Sequence, residues 1–266
     1  FRVAPYIVFG TMAVAAGIIP SMSARLPLVV AADAIALVGL FATARVFLSL
    51  AAMDVGTAFG SLGARREMMI GFLAEPALLM VIFVASLISS TTALPAISAH
   101  LATRSLMLDP SLAFTAVAFA LVLLAENARI PVDNPATHLE LTMIHEAMLL
   151  EYSARHLALM EWASALRLFN YACIGFALFV PWGIAMQPLG MRGAPGTLPD
   201  LAASLFGLLI AIPLLALKLA SAGGGLALIE TVSAKLRVMR APEFLATAFL
   251  FAVLGLLVHV LLEGGA

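Results

Sequence analysis

From Val3 to Ala24 the chain carries no charged side chain, and apolar runs of similar length recur to its end. A run of about 20 apolar residues is what one helical crossing of a bilayer requires. Inside the hydrocarbon no water satisfies backbone N–H and C=O groups, so only helices and closed barrels span it. Barrel strands need about 9–11 residues each, and these runs are far longer. Composition points the same way, with 63% hydrophobic and 11% charged residues against about 25% charge in a soluble domain. The expectation is an all-α, polytopic transmembrane helix bundle.

Seven spans are expected, near Val3–Ile19, Leu28–Met53, Met68–Ser89, Ser111–Ala125, Leu157–Ile184, Leu201–Ala220 and Phe244–Leu262. Residues 1–266 read as a single membrane domain, in which 125–156 form an acidic loop and helix on the cytoplasmic side. Glycines 223–225 are expected to break the helix after the sixth span. Basic residues fix orientation. Arg2, Arg65, Arg66, Arg129, Arg155, Lys235, Arg237 and Arg240 fall on the side of Phe1, against Arg25, Arg104 and Arg192 on the other. The Phe1 side, with the loops carrying "GARRE", "ENARIPVD" and "KLRVMR", is therefore expected to face the cytoplasm of a bacterial or archaeal inner membrane, and Ala266 outward.

A net charge of −1 offers nucleic acid no basic face. A single cysteine, Cys173, builds neither a disulfide framework nor, by itself, an iron–sulfur cluster. "FGSLG" at Phe59–Gly63 is not a nucleophile elbow. His138 and His145, seven apart, have no metal-chelating spacing, so no metal site is expected. His259 reads as packing.

Five of the fifteen acidic residues crowd into Glu126–Glu151, namely Glu126, Asp133, Glu140, Glu146 and Glu151. Asp133 or Asn134 can cap a helix whose first turn holds Pro135. One helix running past Glu151 would place Glu140 and Glu151, eleven residues apart, on nearly one face. Glu146 and Glu161 would point within about 60° of each other. "LTMIHEAMLL" is apolar on most sides, which argues for a buried helix rather than a solvated acidic loop. Desolvation and acidic neighbours both favour carboxyl groups that exchange protons near neutrality. Glu75, inside the third span and followed by Pro76, must either pair with an arginine across the bundle or line a water path. Asp33 and Arg45 stand twelve apart and need partners elsewhere, unless Arg45 snorkels to the surface. Glu161 and Arg167 fit ordinary interface positions.

"AENARIPVDNP", Glu140 and "EYS" at 151–153 resemble the subunit 1 family of respiratory complex I, as does "GTAFGSLGARREMMIGFLAEP". "HLELTMIHEAMLLEYS" is closer to the group 4 membrane-bound NiFe-hydrogenase branch, of the formate hydrogenlyase and hydrogenase-4 type. The resemblance implies eight spans, of which the first would precede Phe1 with a basic amphipathic segment. The spacing from Glu140 to Glu151 is longer than the complex I pattern. It also implies a non-catalytic subunit coupling electron transfer in a soluble arm to proton movement. Glu75, Glu126, Glu140, Glu146, Glu151 and Glu161 would form a proton relay. Arg65, Arg66, Arg129, Asp133 and His145 would line the cavity beneath a partner subunit. The chain would bind no cofactor. Iron–sulfur clusters and the NiFe centre would sit in soluble partner subunits, with antiporter-like subunits alongside in the bilayer. Two alternatives stand beside this reading: a quinone-binding subunit of an NADH:quinone oxidoreductase, and a free-standing cation/proton antiporter.

Overall fold

A computed structural model describes residues 1–21, 33–103, 109–130, 132–133, 143–183, 198–233 and 240–263, with backbone alone at 198–206 and 208. Among the described residues the regular structure is helical, apart from one isolated bridge between Asp33 and Ala93. The helices are α1 (Ala4–Ile18), α2 (Ala34–Asp54), α3 (Ala58–Ser89), α4 (Leu94–Thr103), α5 (Pro110–Glu126), α6 (His145–Leu149), α7 (Ala154–Phe179), α8 (Leu198–Val232) and α9 (Ala241–Glu263).

Five of these are long and apolar enough to cross a membrane: α2, α3, α7, α8 over Leu209–Val232, and α9 over Ala241–Leu262. The other two expected spans correspond to α1 and α5, apolar but only 15 and 17 residues long. The count of seven therefore stands at five by length, with two shorter apolar helices beside them.

α3 is the central post, packing against α2, α5, α6 and α9. Its buried positions step by three and four from Gly60 and Gly63 through Ala64, Glu67, Ile70, Gly71 and Ala74 to Ala77 and Leu78. Small residues on that stripe let neighbouring backbones approach, which is how helices associate where lipid supplies no hydrophobic drive. α1 packs on α2 and α7, and α5 on α9. Stacked rings join α2 to α7, with Phe41 and Tyr171 centroids 5.0 Å apart.

Three local expectations are corrected. "GARRE" lies within α3 rather than in a loop, because Thr57 caps the helix by accepting from the Gly60 N–H at 3.3 Å. α8 runs unbroken through Gly223–Gly225 to Val232, since a break in lipid would strand backbone groups that three glycines cannot satisfy. The long acidic helix is not continuous. α6 ends at Leu149, Ser153 is extended with φ −138° and ψ 163°, and Ala154 opens α7 at φ 48°. Glu146 and Glu161 thus belong to different helices. Glu140, His138, Asn134 and Pro135 lie outside the described residues.

Candidate functional site

The geometry centres on Arg45, in mid-α2. Its side chain is 6% exposed and is met by carboxylates from two other helices. Glu67 of α3 lies 3.5 Å from its Nε, Glu75 of α3 accepts from Nη1, and Glu126 at the end of α5 accepts from Nη2. Glu67, Gly71 and Glu75 are spaced by four and share one stripe of α3. Gly71 is the notch through which the arginine passes: a Cβ there would lie 2.6 Å from Arg45 Cδ and 2.9 Å from Cζ. Pro76, next to Glu75, leaves the Phe72 carbonyl without its helical donor, although α3 remains continuous.

Glu126 is positioned by the way α5 ends. The Arg129 N–H donates to the Leu124 carbonyl at 3.0 Å and the Ala128 N–H to Ala125 at 3.3 Å, a Schellman turn. Its left-handed residue is Ala128, at φ 49°. Glu126 is thereby 3% exposed, with the buried ring of Tyr171 against it.

A second cation extends the cluster towards α6. Arg167 of α7 stands 3.9 Å from Glu67 and 2.9 Å from His145 Nε2. His145 keeps an exposed edge, yet the protein packed round its ring, and then the charges of Arg167 and Arg45, pull its pKa down to about 3. A neutral imidazole accepting from Arg167 at Nε2 satisfies that geometry. The His145 N–H donates to the buried Asp133 at 3.3 Å, so Asp133 meets the first residue of α6. Arg66 donates to the Met143 carbonyl at 2.8 Å. Gly63 seats α6 closely, because a Cβ there would lie 2.8 Å from the Ile144 carbonyl and 3.0 Å from Ala147 Cβ. Arg45, Glu126, His145 and Arg167 border a cavity of about 20 Å³, room for one water molecule with several polar partners.

Of the residues expected from the sequence, the structure gathers Glu75, Glu126, Asp133 and His145 into this connected set, with Arg66 anchoring its edge. Arg65 is exposed on α3, and Glu151 is exposed in the turn after α6. Glu146 is half-buried in α6. Glu161, exposed on α7, and Arg129 line a different and larger cavity between α5, α7 and α8. Glu67 and Arg167 are members that sequence reasoning missed, and Arg45 proves to be the hub rather than a snorkelling surface residue. The Glu67–Gly71–Glu75 stripe was the available signal. Among the described residues, no group of three or more His, Cys, Asp or Glu side chains is arranged to hold a metal ion.

Residues 1–261 match the family described as NADH dehydrogenase. The chain is 30% identical over 254 residues to formate hydrogenlyase subunit 4 of Escherichia coli K12, a match covering 96% of this chain and 77% of that protein. It is 35% identical over 188 residues to hydrogenase-4 component C of the same organism, covering 70% of this chain and 58% of that protein. Among solved structures it is similar to a chain of the membrane-bound sulfane sulfur reductase, an archaeal respiratory membrane complex. That likeness has a TM-score of 0.73 at 19% identity over 95% of this chain and 77% of the other, and it is one of fold.

Proposed function

This chain belongs to the NADH dehydrogenase family, and from that premise we propose that it is the membrane coupling subunit of an ion-translocating oxidoreductase of the group 4 NiFe-hydrogenase type. It links electron transfer in a soluble arm to proton movement in the bilayer. The resemblance of "HLELTMIHEAMLLEYS" to that branch, together with the two hydrogenase-complex relatives, supports the hydrogenase assignment. Electron carriers, the iron–sulfur clusters and NiFe centre, belong to partner subunits, and antiporter-like subunits receive the signal in the membrane. The Phe1 side faces the cytoplasm.

The observation that carries this reading is a charge count. Among the described residues, Glu67, Glu75 and Glu126 surround Arg45, and Arg167 is the second cation, so three acids meet two bases. The cluster therefore carries one surplus negative charge if all five groups are ionised. Such a surplus makes the cluster a place where a proton can be taken up, because like charges disfavour joint ionisation. The proton resides on whichever carboxylate the guanidinium holds least. A small shift of Arg45 along α3 therefore moves the proton's preferred place between acids. Arg66 and Arg167, which hold the α6 region, give a partner at that end a mechanical route to the hub. Glu75, whose side chain is 33% exposed, is the acid on the open side.

Glu126→Gln in the assembled complex, reconstituted in proteoliposomes, tests this. Electron transfer should persist while the rate of coupled ion movement falls at least about tenfold, equivalent to about 1.4 kcal/mol. Unchanged coupling with intact assembly would overturn the proposal.

A further inference from the structure

Among the described residues, two polar ties join α8 to its neighbours. Near the end of α7, Lys218 donates to the Val180 carbonyl at 2.6 Å and to that of Trp182. Towards the other end of α8, Glu230 lies 3.5 Å from Arg129, just beyond α5. Between the ties α8 stands off, leaving a chamber of about 770 Å³ between α5, α7 and α8. That volume lies within the range of small-molecule pockets.

Its walls are apolar, with Phe119, Leu168, Phe176 and Leu226 among them, and Gly223 and Gly225 line α8's side. A Cβ on either glycine would meet nothing within 4 Å. The charged groups gather at one end, where Arg129, just past α5, and Glu161 of α7 line the chamber and Glu230, near the end of α8, pairs with Arg129. Asn127 lies there too. Its Nδ2 donates to the Leu123 carbonyl at 2.8 Å, while its buried Oδ1 has no partner among the described residues.

We propose that this chamber is a specific site for one phosphatidylethanolamine molecule, with its phosphate on Arg129, its ammonium on Glu161 and Asn127, and an acyl chain running along the glycine side of α8. Charge complementarity selects a zwitterionic head group, and the buried Asn127 Oδ1, an acceptor in want of an N–H donor, selects a primary ammonium over a quaternary one. Among the described residues the rim carries one cation and two carboxylates, so a purely anionic head such as phosphatidylglycerol would meet surplus negative charge. A neutral oxygenated head would leave Glu161 unpaired. Phosphate and ammonium in one head group answer the guanidinium and the carboxylate that line the same chamber. The inference is independent of the coupling role proposed above.

The test uses the assembled complex in nanodiscs containing phosphatidylethanolamine with a photoactivatable acyl chain, followed by mass spectrometry of the crosslinked peptides. Adducts should concentrate on the α7 and α8 peptides that line the chamber. Glu161→Gln at the rim and Gly225→Leu in the wall should each lower their yield at least fivefold. Gly225→Leu fills open space and adds helix propensity, so the fold is kept. Equal labelling by the phosphatidylglycerol analogue would show bulk lipid only and overturn the proposal. So would yields unchanged in both variants, or displacement of the probe by a quinone analogue but not by unlabelled phosphatidylethanolamine.

Discussion

Gly71→Ala is the sharpest perturbation of the hub, because elsewhere the same change should help. Exchanging glycine for alanine in a helix interior ordinarily gains about 1 kcal/mol. At Gly71 the new methyl would lie 2.6 Å from Arg45 Cδ and 2.9 Å from Cζ. Carbon pairs rest at about 3.5–4.0 Å, so the arginine must retreat by about 1 Å. The Arg45–Glu67 pair, already 3.5 Å, then stretches past effective reach. The arginine has no easy alternative, since Glu75 and Glu126 hold its other two nitrogens. Overpacking of a filled interior costs about 1–3 kcal/mol, and removing one partner of a buried pair about 3–5 kcal/mol. One weakened pair plus strain, less the propensity gain, leaves a net loss of about 1–3 kcal/mol. For a chain of this size that lowers Tm by about 2–4 °C per kcal/mol. Scanning fluorimetry of the detergent-solubilised complex measures it, with Gly224→Ala as the control. Gly224 faces open space, so its alanine variant should be neutral or slightly more stable. A Gly71→Ala complex as stable as the control would refute the notch and the geometry of the clasp.

Three further outcomes are expected. Arg45→Met leaves Glu67, Glu75 and Glu126 without their shared cation, so assembly should fail; loss of the complex peak on size-exclusion chromatography checks it. His145 has a folded pKa of about 3 against an ordinary 6.5, so its contribution is complete above about pH 6.5 and is lost as pH falls towards 3. His145→Gln, which keeps an acceptor for Arg167, should flatten the fall in Tm between pH 6.5 and 4. Ala128→Gly relieves a left-handed alanine at the end of α5, worth about 1–2 kcal/mol, less about 0.4–1 kcal/mol of added chain entropy; thermal melts should show a small gain in stability.

The sequence disclosed those parts of the fold that a bilayer dictates. Long apolar runs located α7 and α9 within a few residues of their observed ends, and Asp33, which needed a partner other than Arg45, caps α2 by accepting from the Ile35 N–H at 2.8 Å. Local punctuation was less legible. Gly223–Gly225 suggested a stop because glycine weakens helices in water, but lipid removes the competing solvent. Ser153 and Ala154 interrupt what composition presented as one helix, and nothing in "EYSARH" outweighs its good helix formers. At the site, Glu75 and Glu126 announced themselves as acids in apolar surroundings. Arg45 could be recognised only as a charge in want of a partner, since its three carboxylates are 22, 30 and 81 residues away. Glu67 hid inside a motif that looked like a cytoplasmic loop, and only the capping of α3 at Thr57 turns it inward.

The Arg45 clasp also bears on biogenesis. A lone arginine at mid-helix costs about 2.5–3.5 kcal/mol on insertion scales, and two of its three counter-ions emerge from the ribosome only with α3, the last with the end of α5. Until then α2 has reason to linger beside the insertion machinery instead of diffusing into lipid. A nascent chain arrested before Glu126 should therefore stay crosslinkable to the translocon, whereas one arrested well beyond it should be released.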